Sequence, residues 1–148
     1  MILNRRHLMA ALAAASLASP ASAAERPEAF VRRLYRGRGM PPLSVFAPAL
    51  RAEMAKDHDR DWNRVNFDWL RGGQETPKVS GLTVTLLTIS ADGRALVEAA
   101  FANWDEPTVR RFELVRAGGK WLIADVVMTP EDTRLTEVLA ESINDAEP

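Results

Sequence analysis

The residues of this chain best suited to chemistry are carboxylates, arginines and its one tyrosine, since it contains no cysteine and its two histidines are His7 and His58. Thiol nucleophiles, disulfides and thiolate metal sites are thereby excluded together. The acid in the most unusual setting is Asp125, inside the apolar run Trp121-Leu122-Ile123-Ala124-Asp125-Val126-Val127-Met128. Strand alternation puts Trp121, Ile123, Asp125 and Val127 on one face, with Leu122, Ala124, Val126 and Met128 on the other. A carboxylate among apolar side chains is either paired with a cation or desolvated, and a desolvated acid with a raised pKa is a general base. Tyr35 and Asp68 would complete a polar pocket with Asp125 if the first helix covered that face. The competing structural reading, which carries more weight, ties Asp125 to Arg32, Arg33 or Arg36 in an ion pair.

A second constellation is Arg32, Arg33, Arg36 and Arg38. On a helix Arg32 and Arg36 stand at i and i+4 with Arg33 beside them, a positive patch able to hold an anion; Arg32, Arg33, Arg36 and Trp121 are therefore the candidate ligand-binding residues. A solvated helix face balanced by Glu25, Glu28 and the acidic loop is the plainer expectation. The third constellation, Asp57, Asp59, Asp61 and Asp68, matches carboxylate positions of a calcium loop. It has Trp62 where the sharp turn needs glycine and a short Asp at the last ligand position, so a solvated charged loop is expected and no metal or other cofactor is implied.

Two kinds of element must position these groups. Pro27 opens a helix with Phe30, Val31, Leu34 and Tyr35 on one stripe, ended by Gly37 and Gly39. Ser44 is placed to cap a second helix, carrying Val45, Phe46, Ala49, Leu50 and Met54, that runs to about Lys56. Asp57 to Thr76 reads as a short helix or irregular loop pinned by Trp62, Phe67, Trp69 and Leu70. From Leu82 the spacing changes to that of strands: Leu82–Ser90, Arg94–Trp104, Thr108–Ala117 and Lys120–Met128, joined by Asp92-Gly93, Asp105-Glu106-Pro107 and Gly118-Gly119. Thr129-Pro130-Glu131-Asp132 has the form of a helix start, followed by Leu135, Leu139 and Ile143 at helical spacing. The expected class is α+β: N-terminal helices packed on a curved four-stranded antiparallel sheet, with a short C-terminal helix.

The first 23 residues are of another kind. Asn4-Arg5-Arg6-His7-Leu8-Met9 precedes an alanine-rich apolar run, Pro20 and the small residues Ala21-Ser22-Ala23, the layout of a cleavable export signal, and the paired arginines favour the twin-arginine type. The run is too short to span a bilayer. Cleavage after Ala23 would leave a single domain, residues 24–148 of the 148-residue chain, periplasmic and without a retained membrane anchor. The chain holds 19 basic and 20 acidic residues; losing Arg5 and Arg6 makes the remainder mildly acidic, which argues against nucleic acid as a partner.

The order of elements resembles the nuclear transport factor 2-like, cystatin-like cone. More narrowly, Phe30-Val31-Arg32-Arg33-Leu34-Tyr35, then Asn66-Phe67-Asp68-Trp69 with Gln74-Glu75, then Phe112-Glu113-Leu114-Val115 and Gly119-Lys120-Trp121-Leu122-Ile123-Ala124-Asp125-Val126 resemble the exported bacterial proteins grouped as domain of unknown function 3828. The family tends to have Asp-Phe-Asp-Pro and Gln-Asp where this chain has Asn66-Phe67-Asp68-Trp69 and Gln74-Glu75. The resemblance implies a cone fold and an exported location, and no established reaction. Cone-fold isomerases and dehydratases use inward acids as bases, so two expectations follow. The leading one is a non-catalytic module of the cell envelope that holds a small ligand or an envelope protein, with a homodimer as a further partner state. The alternative is a cofactor-free enzyme using Asp125, Asp68 and Tyr35 for proton transfer or hydrolysis.

The export reading predicts that Arg5→Lys with Arg6→Lys blocks translocation, because lysine cannot reproduce the planar guanidinium pair. Cell fractionation checks this, and undiminished periplasmic delivery of the double variant would assign the chain to the general secretory route.

Overall fold

A computed structural model describes residues 24–141; the leader residues 1–23 and Ile143 lie outside the described residues. The chain runs α1 (Pro27–Arg36), a single 3-10 turn (Leu43–Val45), α2 (Pro48–His58), β1 (Val79–Ile89), β2 (Arg94–Asn103), β3 (Glu106–Ala117), β4 (Lys120–Met128), β5 (Thr133–Arg134) and α3 (Leu135–Ala140). This is an α+β domain with one five-stranded antiparallel sheet in the order β1-β2-β3-β4-β5. Among the described residues no helix is long and apolar enough to cross a membrane.

The meander follows from its turns. Gly93 has φ 83°, and a Cβ there would stand 3.2 Å from the Arg116 Cβ, so the β1–β2 turn needs glycine on two counts. Gly118 and Gly119, with φ 56° and 75°, make the β3–β4 turn where the sequence places it. The middle turn lies earlier than expected. Trp104 and Asp105 adopt φ 50° and 67°, Asn103 pairs with Glu106, and Pro107 sits inside β3 opposite Ala102. Side-chain bonds fix that turn: Asn103 Oδ1 accepts from the Lys78 amide at 2.8 Å and Trp104 Nε1 donates to the Thr76 carbonyl at 2.7 Å.

The helices lie on the core face. α1 buries Phe30, Val31 and Leu34 and packs on β1 and β2, while α2 meets β4 and α3. Ser44 does not cap α2. Leu43–Val45 forms a 3-10 turn, Phe46 then pairs with Ile123, and the Ala47 amide donates to the Ile123 carbonyl at 2.8 Å. Burial of Phe46 at 1% exposure holds that residue extended, so the helix starts afterwards, at Pro48, whose ring is preset for the first helical position.

The C-terminal segment also departs from expectation. Thr129-Pro130-Glu131-Asp132 is a turn rather than a helix start, with a cis Thr129–Pro130 bond and Asp132 at φ 54°. It brings Thr133 and Arg134 back as a fifth strand against Met128 and Val127. α3 begins only at Leu135 and carries Leu135 and Leu139 into the core.

The most consequential irregularity is in β4. Leu114 pairs with Ile123 and Glu113 with Asp125, leaving Ala124 as an extra residue. Such a bulge reverses the alternation beyond it. Trp121, Ile123, Val126 and Met128 are all buried core residues, whereas Asp125 leaves the sheet on the side of Glu113. The expected grouping of Asp125 and Val127 with Trp121 and Ile123 is therefore corrected.

Candidate functional site

Asp125 is 5% exposed and fully engaged. Its Oδ1 accepts from the amides of Val126 at 2.9 Å and Thr136 at 3.1 Å. Its Oδ2 accepts from the Thr136 hydroxyl at 2.6 Å and Arg134 Nη1 at 3.2 Å. Arg134 also forms a two-pronged pair with Glu113 at 2.8 and 2.7 Å, and the two carboxylates, Glu113 foremost, hold its guanidinium more firmly protonated than usual. The cation that pairs Asp125 is thus Arg134 from β5, not Arg32, Arg33 or Arg36. Four donors on one carboxylate leave no lone pair free to take a substrate proton.

Tyr35 and Asp68 both bind the backbone of Leu70, and neither bonds to Asp125. The Tyr35 hydroxyl donates to the Leu70 carbonyl at 3.1 Å, and its ring packs on Phe101 and Phe112 at 5.3 and 6.3 Å. Asp68 Oδ1 accepts from the Leu70 and Arg71 amides at 3.0 and 2.8 Å, and Oδ2 pairs with Arg71 Nη1 at 3.3 Å. Arg71 reaches on to the carbonyls of Gly39 and Gly37 at 3.0 and 2.9 Å. A fourth member, Arg110 on β3, was not singled out from the sequence. It is 6% exposed, and its Nε donates to the Trp69 carbonyl at 2.8 Å. The available signal is the pair Arg110-Arg111: neighbours on a strand point to opposite faces, and Arg110 is in phase with Phe112 and Leu114. Burial works against its charged form, with Tyr35, Asp68 and Glu131 acting the other way. Burial likewise pushes the Tyr35 phenol far above its ordinary range, against the pull of Arg110 and Arg71. A phenol and carboxylate held this way organise the Trp69-Leu70-Arg71 loop.

The charged loop is less solvated than its sequence suggests. Asp57 is 3% exposed, its oxygens accepting from the Arg64 and Val65 amides at 2.9 and 3.0 Å, while Asp59, Asp61 and His58 are exposed. Asp57 thus closes the turn after α2, apart from the other acids.

Two of the four candidate ligand-binding residues do converge. Arg33 and Trp121 line one cleft of about 310 Å³, together with Glu25, Phe30, Ser44, Val45, Lys120 and Leu122. The Arg33 fork holds Glu25 with both bonds at 3.0 Å, which raises the Arg33 pKa. Trp121 Nε1 donates to the Glu25 carbonyl at 2.9 Å, and Arg116 stacks over the indole at 5.0 Å. Lys120, at the start of β4, is exposed and was not singled out; its signal is adjacency to Trp121 after the Gly118-Gly119 turn. Arg32 instead reaches the Val84 carbonyl at 3.4 Å, and Arg36 is exposed at the end of α1, outside the cleft. Comparison with protein-family models, curated proteins and solved structures finds no match to the chain.

Asp125→Asn puts an amide N–H against donors and should cost about 2–4 kcal/mol in a denaturant titration. A loss near zero would mean that β5 and α3 do not depend on this carboxylate.

Tyr35 is the chain's one tyrosine, so phenolate absorbance reports it alone. Its folded pKa is raised, so its contribution is complete below the unfolded value of about 10 and is lost as pH climbs toward the folded value. The phenolate band should therefore appear only with alkaline unfolding, and Tyr35→Phe should flatten the fall of stability above about pH 10. An ordinary titration of the native protein would contradict the buried phenol.

Proposed function

We propose that this chain is a non-catalytic binding module of the bacterial cell envelope, exported by its twin-arginine leader, and that the cleft between the start of α1 and the start of β4 holds a small ligand with an anionic head and an apolar body. The observation that carries this reading is the meeting of Arg33 and Lys120 with Phe30 and Trp121 around one opening. Two cations against the single carboxylate of Glu25 favour an anion, and the aromatic floor favours an apolar body. The volume of about 310 Å³ is at the small end of the range for ligand pockets. The resemblance to the domain of unknown function 3828 proteins implies a cone fold and an exported location, and no established reaction. The enzyme alternative loses its main support because Asp125 is saturated by four donors and stands apart from Tyr35 and Asp68.

Phenylacetate, a carboxylate on an aromatic ring, is a suitable probe, with the Trp121 indole N–H followed by NMR and assigned by its loss in Trp121→Phe. Saturable shifts are expected, weakened roughly tenfold by Lys120→Ala, the equivalent of about 1.4 kcal/mol. Glu25→Gln frees the Arg33 fork and should tighten binding. Shifts indifferent to both changes would remove the cleft as the ligand site.

A further inference from the structure

The cleft between α1 and β4 does not end at Arg33. A second cavity of about 300 Å³ adjoins it, and Arg33, Ser44 and Val45 line both. The two also share a wall. Phe30, Arg33, Leu34 and Gly37 stand at i, i+3, i+4 and i+7, a single stripe of α1 and its C-cap, so the cavities follow one another along the helix. At 1.5 Å per residue that stripe is about 10 Å long. The facing wall of the second cavity is the segment from Gly39 to Pro42, in which Met40 is 45% exposed.

Unpaired charge lies at the two ends of this groove. Arg33, in the middle, is committed to Glu25 through both prongs of its fork. Lys120 lines the first cavity and Arg38 the second; both are exposed, and neither forms an ion pair among the described residues. Glu25 is the one carboxylate lining either cavity. Arg38 is also carried on a fixed backbone. The carbonyls of its two neighbours, Gly37 and Gly39, accept from Arg71 Nη2 and Nη1 at 2.9 and 3.0 Å, and Arg71 is itself 5% exposed and paired with Asp68. A buried arginine gripping the chain on both sides of Arg38 leaves its backbone little to lose in ordering when an anion arrives. Between the charged ends the lining is apolar, with Phe30, Leu34, Val45 and Met40.

Resting on the reading of the first cavity as an anion site, we propose that the two cavities form one groove for a linear dianion with an apolar middle, of the α,ω-dicarboxylate class. One carboxylate meets Lys120 and the other meets Arg38, while the chain between them lies along the α1 stripe.

Three carboxylates test this by NMR: sebacate, whose extended chain exceeds the length of the stripe, succinate, which is too short to span it, and phenylacetate as the single-headed reference. The Trp121 indole N–H reports the first cavity and the Met40 methyl group, assigned by its loss in Met40→Leu, reports the second. Sebacate should shift both signals, and succinate and phenylacetate the indole alone. Arg38→Gln should lower the affinity for sebacate about fivefold relative to that for phenylacetate, and the effect should shrink with salt. An unchanged indole resonance in the free variant shows that it is folded. Sebacate that moves the indole alone, or an affinity ratio indifferent to Arg38→Gln, would overturn the spanning ligand and leave the first cavity standing as an anion site. Failure of all three carboxylates to bind would overturn both readings.

Discussion

The structure depends on one extra residue in β4. Without Ala124 as a bulge, strict alternation would send Asp125 into the core beside Ile123 and turn Val126 and Met128 outward. With it, apolar side chains from both halves of the strand reach the same core, and the carboxylate leaves on the other side. There it gathers the Thr136 amide and hydroxyl and the Arg134 guanidinium. These bonds fix the start of α3, and α3 in turn delivers Leu135 and Leu139, which are 0% and 4% exposed. A backbone irregularity thus settles where an acid goes, and the acid settles where the last helix goes.

The second polar network lies on the core face and organises a loop. Asp68 binds two amides of the segment it precedes, and Arg71 and Arg110 satisfy carbonyls of Gly37, Gly39 and Trp69. Buried backbone carbonyls in an irregular loop would otherwise go without donors at a cost of about 1–3 kcal/mol each. A guanidinium, with five donors, supplies several at once. Gly72 fits the same logic: its φ is 89°, and a Cβ there would lie 3.1 Å from Arg110 Nη2. The polar groups in this interior are therefore explained by the chain they hold in place, and the aromatic rings of Tyr35, Phe101 and Phe112 fill the space between α1 and the sheet.

The fold was legible wherever a residue acts on its near neighbours. Pro27 and the Phe30-Val31-Leu34 stripe mark α1, and Gly93 and Gly118-Gly119 mark two of the four turns that join the strands, because backbone freedom and local burial decide those elements. What the sequence concealed was decided at a distance. The bulge at Ala124 answers to β3, the start of α2 answers to Phe46 pairing with Ile123, and the turn at Trp104-Asp105 is chosen by bonds to Lys78 and Thr76. Helix-start chemistry at Thr129-Pro130 lost to a fifth strand for the same reason. Of the candidate site, Arg33 and Trp121 were visible from residue type, whereas Lys120 and Arg110 needed the register.

These placements bear on where activity is to be sought. Catalysis by Asp125, Tyr35 and Asp68 would need their polar atoms to share a water-accessible cavity. Each is instead spent on backbone amides, carbonyls or a guanidinium, and ring packing occupies the space beside Tyr35. A domain this small has one core, and a core filled to hold the chain together cannot also be an open pocket. Groups free to meet another molecule are then displaced to the periphery of the sheet. There Lys120 is exposed at one end beside the Arg33–Glu25 pair, and β1 presents an uncharged backbone edge along one side. The buried polar groups of this domain are thus accounted for by the backbone they hold, and the ionic groups left exposed lie at the margins of the sheet.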